Sequence, residues 1–256
     1  MRIASFLMPF VAIVTGIAGF VIRKHELAYV FDAQTGLPER GSLITLVLIG
    51  LTVLFILAAL IFSIVVSKRK VVDKGFENVF GTDSLSYPIS FILFGLLWLW
   101  ASIMYFVDFH SAGNIRIIFS VMAAISAISV IFFAVEMYQD PRRKSVYALS
   151  VIPSLFTCLW LILVYRENAA NPVLLSYAYQ ILAIIASTMG FYFTSGVVYG
   201  KPKHGKTIFS YLIAIFFCLV TLADAHNIMI RIMFCAMILI SVACLHRLLR
   251  NLKCIQ

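Results

Sequence analysis

The chain has 256 residues, 62% of them hydrophobic and only 12% charged, and its mean hydropathy is +1.02. Soluble globular domains carry about 25% charged residues, so this composition excludes water as the main solvent of the chain. The net charge of +9 comes from basic residues gathered in short segments between apolar runs, which reads as a topology signal and argues against nucleic-acid binding.

Lipid cannot hydrogen-bond an open backbone, so a spanning segment is either a helix or part of a closed barrel. Long apolar runs without period-two alternation select helices. Eight long apolar runs whose central stretches carry no Asp, Glu, Lys or Arg follow one another and predict spans at about 3–22, 43–67, 87–107, 115–137, 145–165, 173–199, 207–223 and 228–248, the last with Arg231 in its first turn. The sequence therefore predicts an all-α fold: a polytopic transmembrane helical bundle of eight spans arranged as four hairpins, forming one integral membrane domain over 1–256.

The first span follows Arg2 and superficially has the form of a secretory signal. Its apolar run exceeds a signal core and leads straight into Arg23, Lys24, His25 and Glu26 rather than a small-x-small cleavage site, so it is expected to stay as a helix. Ala12, Gly16 and Gly19 give it a small-residue face for close helix packing, and Pro9 lies inside it. Residues 23–42 are expected to form a cap over one mouth of the bundle. In that segment Leu27 to Phe31 are strand-like, and Gly36, Pro38 and Gly41 are turn formers. Between spans two and three, Lys70, Asp73, Lys74 and Glu77 alternate with Val71, Val72, Phe76 and Phe80, which predicts a short amphipathic surface helix.

Spans three and five carry Trp98, Trp100, Tyr105, Trp160 and Tyr165, expected as part of an interfacial aromatic belt. Span four presents Ser120, Ala124 and Ala127 as a packing ridge, and span five contains Pro153. Span six has the richest polar content, and its Gln180 amide should bond a neighbouring helix or a ligand because a bare amide in hydrocarbon is costly. Its Ala183, Ser187 and Gly190 form another small face. Asp108, Arg166 and Asp224 close alternate spans at equal intervals, a rhythm that two helices and two short loops impose even without common ancestry.

Fourteen of the 20 Lys and Arg residues fall on the side of the termini and six on the opposite side. By the positive-inside rule both termini are cytoplasmic. Short loops and the absence of Asn-x-Ser/Thr sites point to a bacterial plasma membrane. Cys158, Cys218, Cys235 and Cys244 lie in spans and Cys254 in the tail, a distribution that implies no structural disulfide.

No Asp, Glu, Lys or Arg stands near the middle of any span, which argues against a proton-coupled carrier. Polar candidates gather instead on the outer face. Asp108 is expected to pair with Arg116 and Asp224 with Arg231; together with Tyr177 and Gln180 these make up the expected ligand-binding set. His25, His110 and His226 with a carboxylate would suit Zn²⁺, provided the ends of spans one, three and seven meet. No HExxH pair supports that site, and no other cofactor is implied.

The leading expectation is a sensing, scaffold or ligand-binding membrane component that takes a lipid, an apolar molecule or a membrane protein at its outer mouth. A small-molecule transporter or channel subunit is the alternative and requires a polar path near Gln180. A metal-dependent intramembrane hydrolase is the third reading and requires the three histidines to converge.

Overall fold

The computed structural model describes residues 2–32, 37–39, 41–68, 79–80, 84–109, 114–139, 145–169 and 173–252. Among the described residues are eight helices long and apolar enough to cross a membrane: α1 (Arg2–Tyr29), α2 (Leu43–Lys68), α3 (Ser86–Phe109), α4 (Asn114–Gln139), α5 (Ser145–Asn168), α6 (Ala178–Val198), α7 (His204–Thr221) and α8 (Ile228–Asn251). No strand occurs among the described residues; Phe31 and Pro38 form one isolated antiparallel bridge. The expected amphipathic helix after α2 lies outside the described residues, apart from the buried, helical Val79 and Phe80.

Helices α3 to α8 close a ring in chain order, with α8 returning to pack on α3. Helices α1 and α2 pack together outside that ring, against α7, and α1 also touches α8. Surrounded on all sides, α7 has 83% of its apolar stretch buried, the largest share of any helix. The most apolar helix, α2, is the least buried. This inverts the rule for water-soluble proteins: where hydrocarbon is the solvent, apolarity tracks exposure, and the enclosed helix is free to carry polar side chains. At 18 residues α7 spans roughly 27 Å, just enough for the hydrocarbon core.

Small residues permit this enclosure. A Cβ on Gly16 would lie 2.6 Å from Leu219 Cδ1, and one on Gly19 would lie 2.7 Å from Val220 Cγ2, so α1 reaches α7 only because both positions lack a side chain. Gly190 of α6 meets the Tyr211 ring of α7 in the same way, and Gly205 meets Ser63 and Ser67 of α2. The Ser63 hydroxyl also donates to the Gly205 carbonyl at 2.7 Å.

Two expected boundaries change. Helix α1 continues to Tyr29, so Leu27 to Tyr29 are helical rather than strand-like; the i,i+3 pair of Arg23 and Glu26 is buried against the bundle and needs helical spacing to form. Span six is broken at its start, where a 3₁₀ turn (Leu174–Ser176) precedes α6.

The aromatic belt divides. Trp100 and Tyr165 face outward at 48% and 68% exposure, as a belt requires, whereas Trp98, Tyr105 and Trp160 are buried inside the ring. Belt residues need one lipid-facing side, and these three sit on faces that the ring turns inward. The described cysteines carry no disulfide.

Candidate polar cavity at the distal end

One end of the bundle, here termed distal, holds the C-terminal end of α1 and the turn between α7 and α8. Its organising side chain is Arg23, which is fully buried. The guanidinium donates from Nε to Asp224 Oδ1 at 2.9 Å and from Nη1 to Glu26 Oε2 at 2.6 Å. Nη2 donates to the carbonyls of Leu175 at 3.0 Å and Ser176 at 3.4 Å. The break before α6 makes this contact possible: it removes both carbonyls from a continuous helical ladder and leaves them free to accept. The rings of Phe31 and Tyr179 lie 5.6 and 5.1 Å from the guanidinium carbon.

The carboxylates have further partners. Thr45 of α2 donates to Glu26 Oε1 at 2.7 Å, and Thr221 donates to Asp224 Oδ2 at 2.9 Å. Arg231 donates from Nη2 to the Asp224 backbone carbonyl at 2.9 Å. One buried junction therefore joins α1, α2, the α6 entry and the α7–α8 turn, with the Arg23 cation set against two carboxylates. A buried charge is tolerable only when paired and hydrogen-bonded, and this set meets that condition.

Beside the junction, at the mouth of the ring, lies a cavity of about 420 Å³. Its polar wall includes Arg116, Glu167, Tyr177, Gln180, Asp224, His226 and Asn227, and Phe119, Trp160 and Ile230 supply apolar surface. Helices α3, α4, α5, α6 and α8 and the α7–α8 turn all contribute. His226 Nε2 is 3.5 Å from the Thr221 hydroxyl and 3.9 Å from Asp224 Oδ2, with its ring against Phe234. Burial lowers the His226 pKa below its ordinary value of 6.5, Arg231 and Arg23 push the same way, and Asp224 opposes them. The imidazole is accordingly neutral at pH 7.

Of the expected ligand-binding set, Arg116, Tyr177, Gln180 and Asp224 line this one cavity. Asp108 is exposed at the end of α3 and does not line it, and Arg231 reaches the site through the Asp224 carbonyl. The expected Asp224–Arg231 ion pair is corrected: the carboxylate is taken by Arg23 and Thr221. His25 is exposed, stacked on Tyr29 one helical turn away, while His226 faces the cavity. His110 lies outside the described residues, and no group of three His, Cys, Asp or Glu among the described residues is placed to hold a metal ion.

Sequence reasoning missed Arg23 as the organising cation. The available signal was Glu26 three residues on, which places two opposite charges on one helical face beside an apolar run. Comparison of the chain with protein-family models, curated proteins and solved structures gives no significant match.

Proposed function

We propose that this multi-pass membrane protein binds a small amphipathic molecule in the distal cavity, from the extracytoplasmic side. The observation that carries the reading is the convergence of Arg116, Tyr177, Gln180 and Asp224 on one chamber. A chamber of about 420 Å³ with both polar and aromatic walls has the size and mixed lining of a small-molecule site. The Arg116 guanidinium, the Gln180 carboxamide and the Glu167 carboxylate supply donors and acceptors for a polar head, and Phe119 and Trp160 supply a face for its apolar part. That lining favours an amphipathic ligand over a wholly apolar one.

Orientation rests on charge. With fourteen basic residues on the side of the termini and six on the other, the termini face the cytoplasm and the distal cavity opens outward. The broad apolar exposure of α1, α2 and α3 is the surface the bilayer covers.

Native mass spectrometry of protein extracted in mild detergent tests the reading, using wild type and the double variant Arg116→Ala, Gln180→Leu. The expected result is a small-molecule adduct on the wild type that the variant loses while staying monodisperse. A wild type with no adduct, or an adduct held equally by the variant, would overturn it.

A further inference from the structure

We propose a second activity: the ring α3–α8 encloses a closed permeation path for small uncharged hydrogen-bonding solutes, the size of water to glycerol, leading inward from the distal cavity. The first observation is a second chamber on the same axis. It has a volume of about 30 Å³, the room of one water molecule, and is lined by Phe91, Phe133, Pro153, Thr194, Tyr211 and Cys244 among others. The Thr194 and Tyr211 hydroxyls, 2.7 Å apart, give it a polar corner, and Pro153 has no N–H to return to the Leu149 carbonyl on the same wall.

The two chambers share helix faces. On α3, Tyr105 lines the upper chamber and Phe91 the lower, with Trp98 seven residues from each. On α4, Phe119 and Phe133 do the same, with Ser126 seven residues from each. Ser241 of α8 continues the face of Ile230 and Phe234, one turn before Cys244. Seven residues complete nearly two helical turns, so Trp98 and Ser126 point the same way as the lining residues seven places before and after them, about 10 Å from each, whereas Ser241 stands at the rim of the lower chamber.

The second observation concerns Trp98, Ser126 and Ser241. Trp98 Nε1, Ser126 Oγ and Ser241 Oγ are buried, and none has a hydrogen-bond partner. This is unusual within the same bundle, where Thr52, Ser102, Ser120, Ser129, Ser187 and Thr188 all donate to the carbonyl four residues back. Unsatisfied buried polar atoms are costly and rare in native proteins. Three of them, on three different helices, with Trp98 and Ser126 between the chambers and Ser241 at the rim of the lower one beside Ile240, mark a place where a passing solute makes the hydrogen bonds the protein leaves unmade.

Between the two chambers the path is shut. Phe119 stacks near Phe156 at 5.3 Å, Phe156 near Trp98 at 5.6 Å, and Trp98 near Phe191 at 6.4 Å, a chain of rings running from one chamber wall to the other. Rotation of the Trp98 side chain is the simplest opening. The solute is uncharged because no Asp, Glu, Lys or Arg stands along this stretch of any helix to compensate an ion.

Stopped-flow light scattering on proteoliposomes tests the path with water and glycerol as probes and potassium flux as the control. The wild type is expected to speed glycerol entry over protein-free vesicles. Trp98→Ala should speed it further. The triple variant Trp98→Phe, Ser126→Ala, Ser241→Ala keeps the packing and removes the three polar atoms, and should slow entry roughly tenfold, since those bonds form only in transit. It should also unfold at an equal or higher temperature, which separates loss of function from misfolding. Glycerol entry at the protein-free rate for both wild type and Trp98→Ala, an unchanged rate in the triple variant, or potassium flux as fast as glycerol would each overturn the proposal. Flux is read without reference to any ligand retained in the distal cavity, so the two readings fail separately.

Discussion

The Arg23 guanidinium meets the Asp224 carboxylate at 2.9 Å, joining the end of α1 to the turn between α7 and α8 across 201 residues of chain. Helix α1 belongs to no part of the ring, yet this contact fixes its distal end against the ring's rim. Asp224 also lines the cavity, so the docking of α1 and the shape of the ligand chamber depend on one side chain.

Loss of either partner should be costly, because the other charge stays buried. Arg23→Ala or Asp224→Ala is expected to destabilise the protein by about 3 to 5 kcal/mol, the usual consequence of breaking a buried pair. The apolar double variant Arg23→Leu, Asp224→Leu should recover part of that loss, although Glu26 then lacks its cation. Thermal unfolding in detergent, followed through a thiol probe on Cys218 and Cys244, which are buried in the native state, measures all three. Single variants as stable as the wild type would show that the junction does not hold α1.

The glycine seam between α1 and α7 gives a steric prediction. Gly16→Ala would place its new carbon 2.6 Å from Leu219 Cδ1 and 3.0 Å from Leu219 Cβ, and the latter cannot swing away. Overpacking of this kind costs about 1 to 3 kcal/mol. Leu219→Ala removes the Cδ1 contact but keeps Cβ, so it should restore part of the stability in the Gly16→Ala background while destabilising the otherwise wild-type protein. Additive effects of the two substitutions would mean that they do not touch.

These contacts also show what could be read in advance. The eight helices were legible because lipid leaves the backbone no alternative, and because the charge-free runs are bounded by basic segments. Packing ridges were legible at Gly16, Gly19 and Gly190, where only a missing side chain allows close approach. Arg23 was not, since a basic residue beyond an apolar run reads as an exposed loop cation, and nothing local announces a partner on the far side of the chain. Asp224 was expected to pair with Arg231, seven residues away. Proximity in sequence delivered that contact to the backbone carbonyl, and the longer-range cation took the carboxylate. Trp98 and Trp160 were misjudged for a related reason: belt and core positions look alike until helix rotation is known.

Orientation is testable by thiol labelling. In a background with all five cysteines replaced, Leu37→Cys sits on the distal segment and Lys203→Cys at the opposite end; both native residues are exposed. A membrane-impermeant maleimide added to intact cells should label Leu37→Cys alone, and lysed cells should add Lys203→Cys. The reverse pattern would turn the distal cavity toward the cytoplasm.

The neutral His226 imidazole predicts a pH dependence of stability. Its pKa in the folded protein lies below the ordinary 6.5, chiefly through burial, whereas in the unfolded chain it takes up a proton at that ordinary value. Below 6.5 the unfolded state therefore binds more protons than the folded one, and stability falls with pH until the folded imidazole also titrates. Above 6.5 both states are neutral and the contribution is flat. Between about pH 7.5 and 5.5 the wild type should lose stability relative to His226→Asn, whose side chain does not titrate. Protonation would also place a second charge beside Asp224, 3.9 Å from Nε2, and draw that carboxylate away from Arg23. Parallel thermal-unfolding curves for wild type and His226→Asn across this range would mean the ring titrates alike in both states, which its burial against Phe234 argues against.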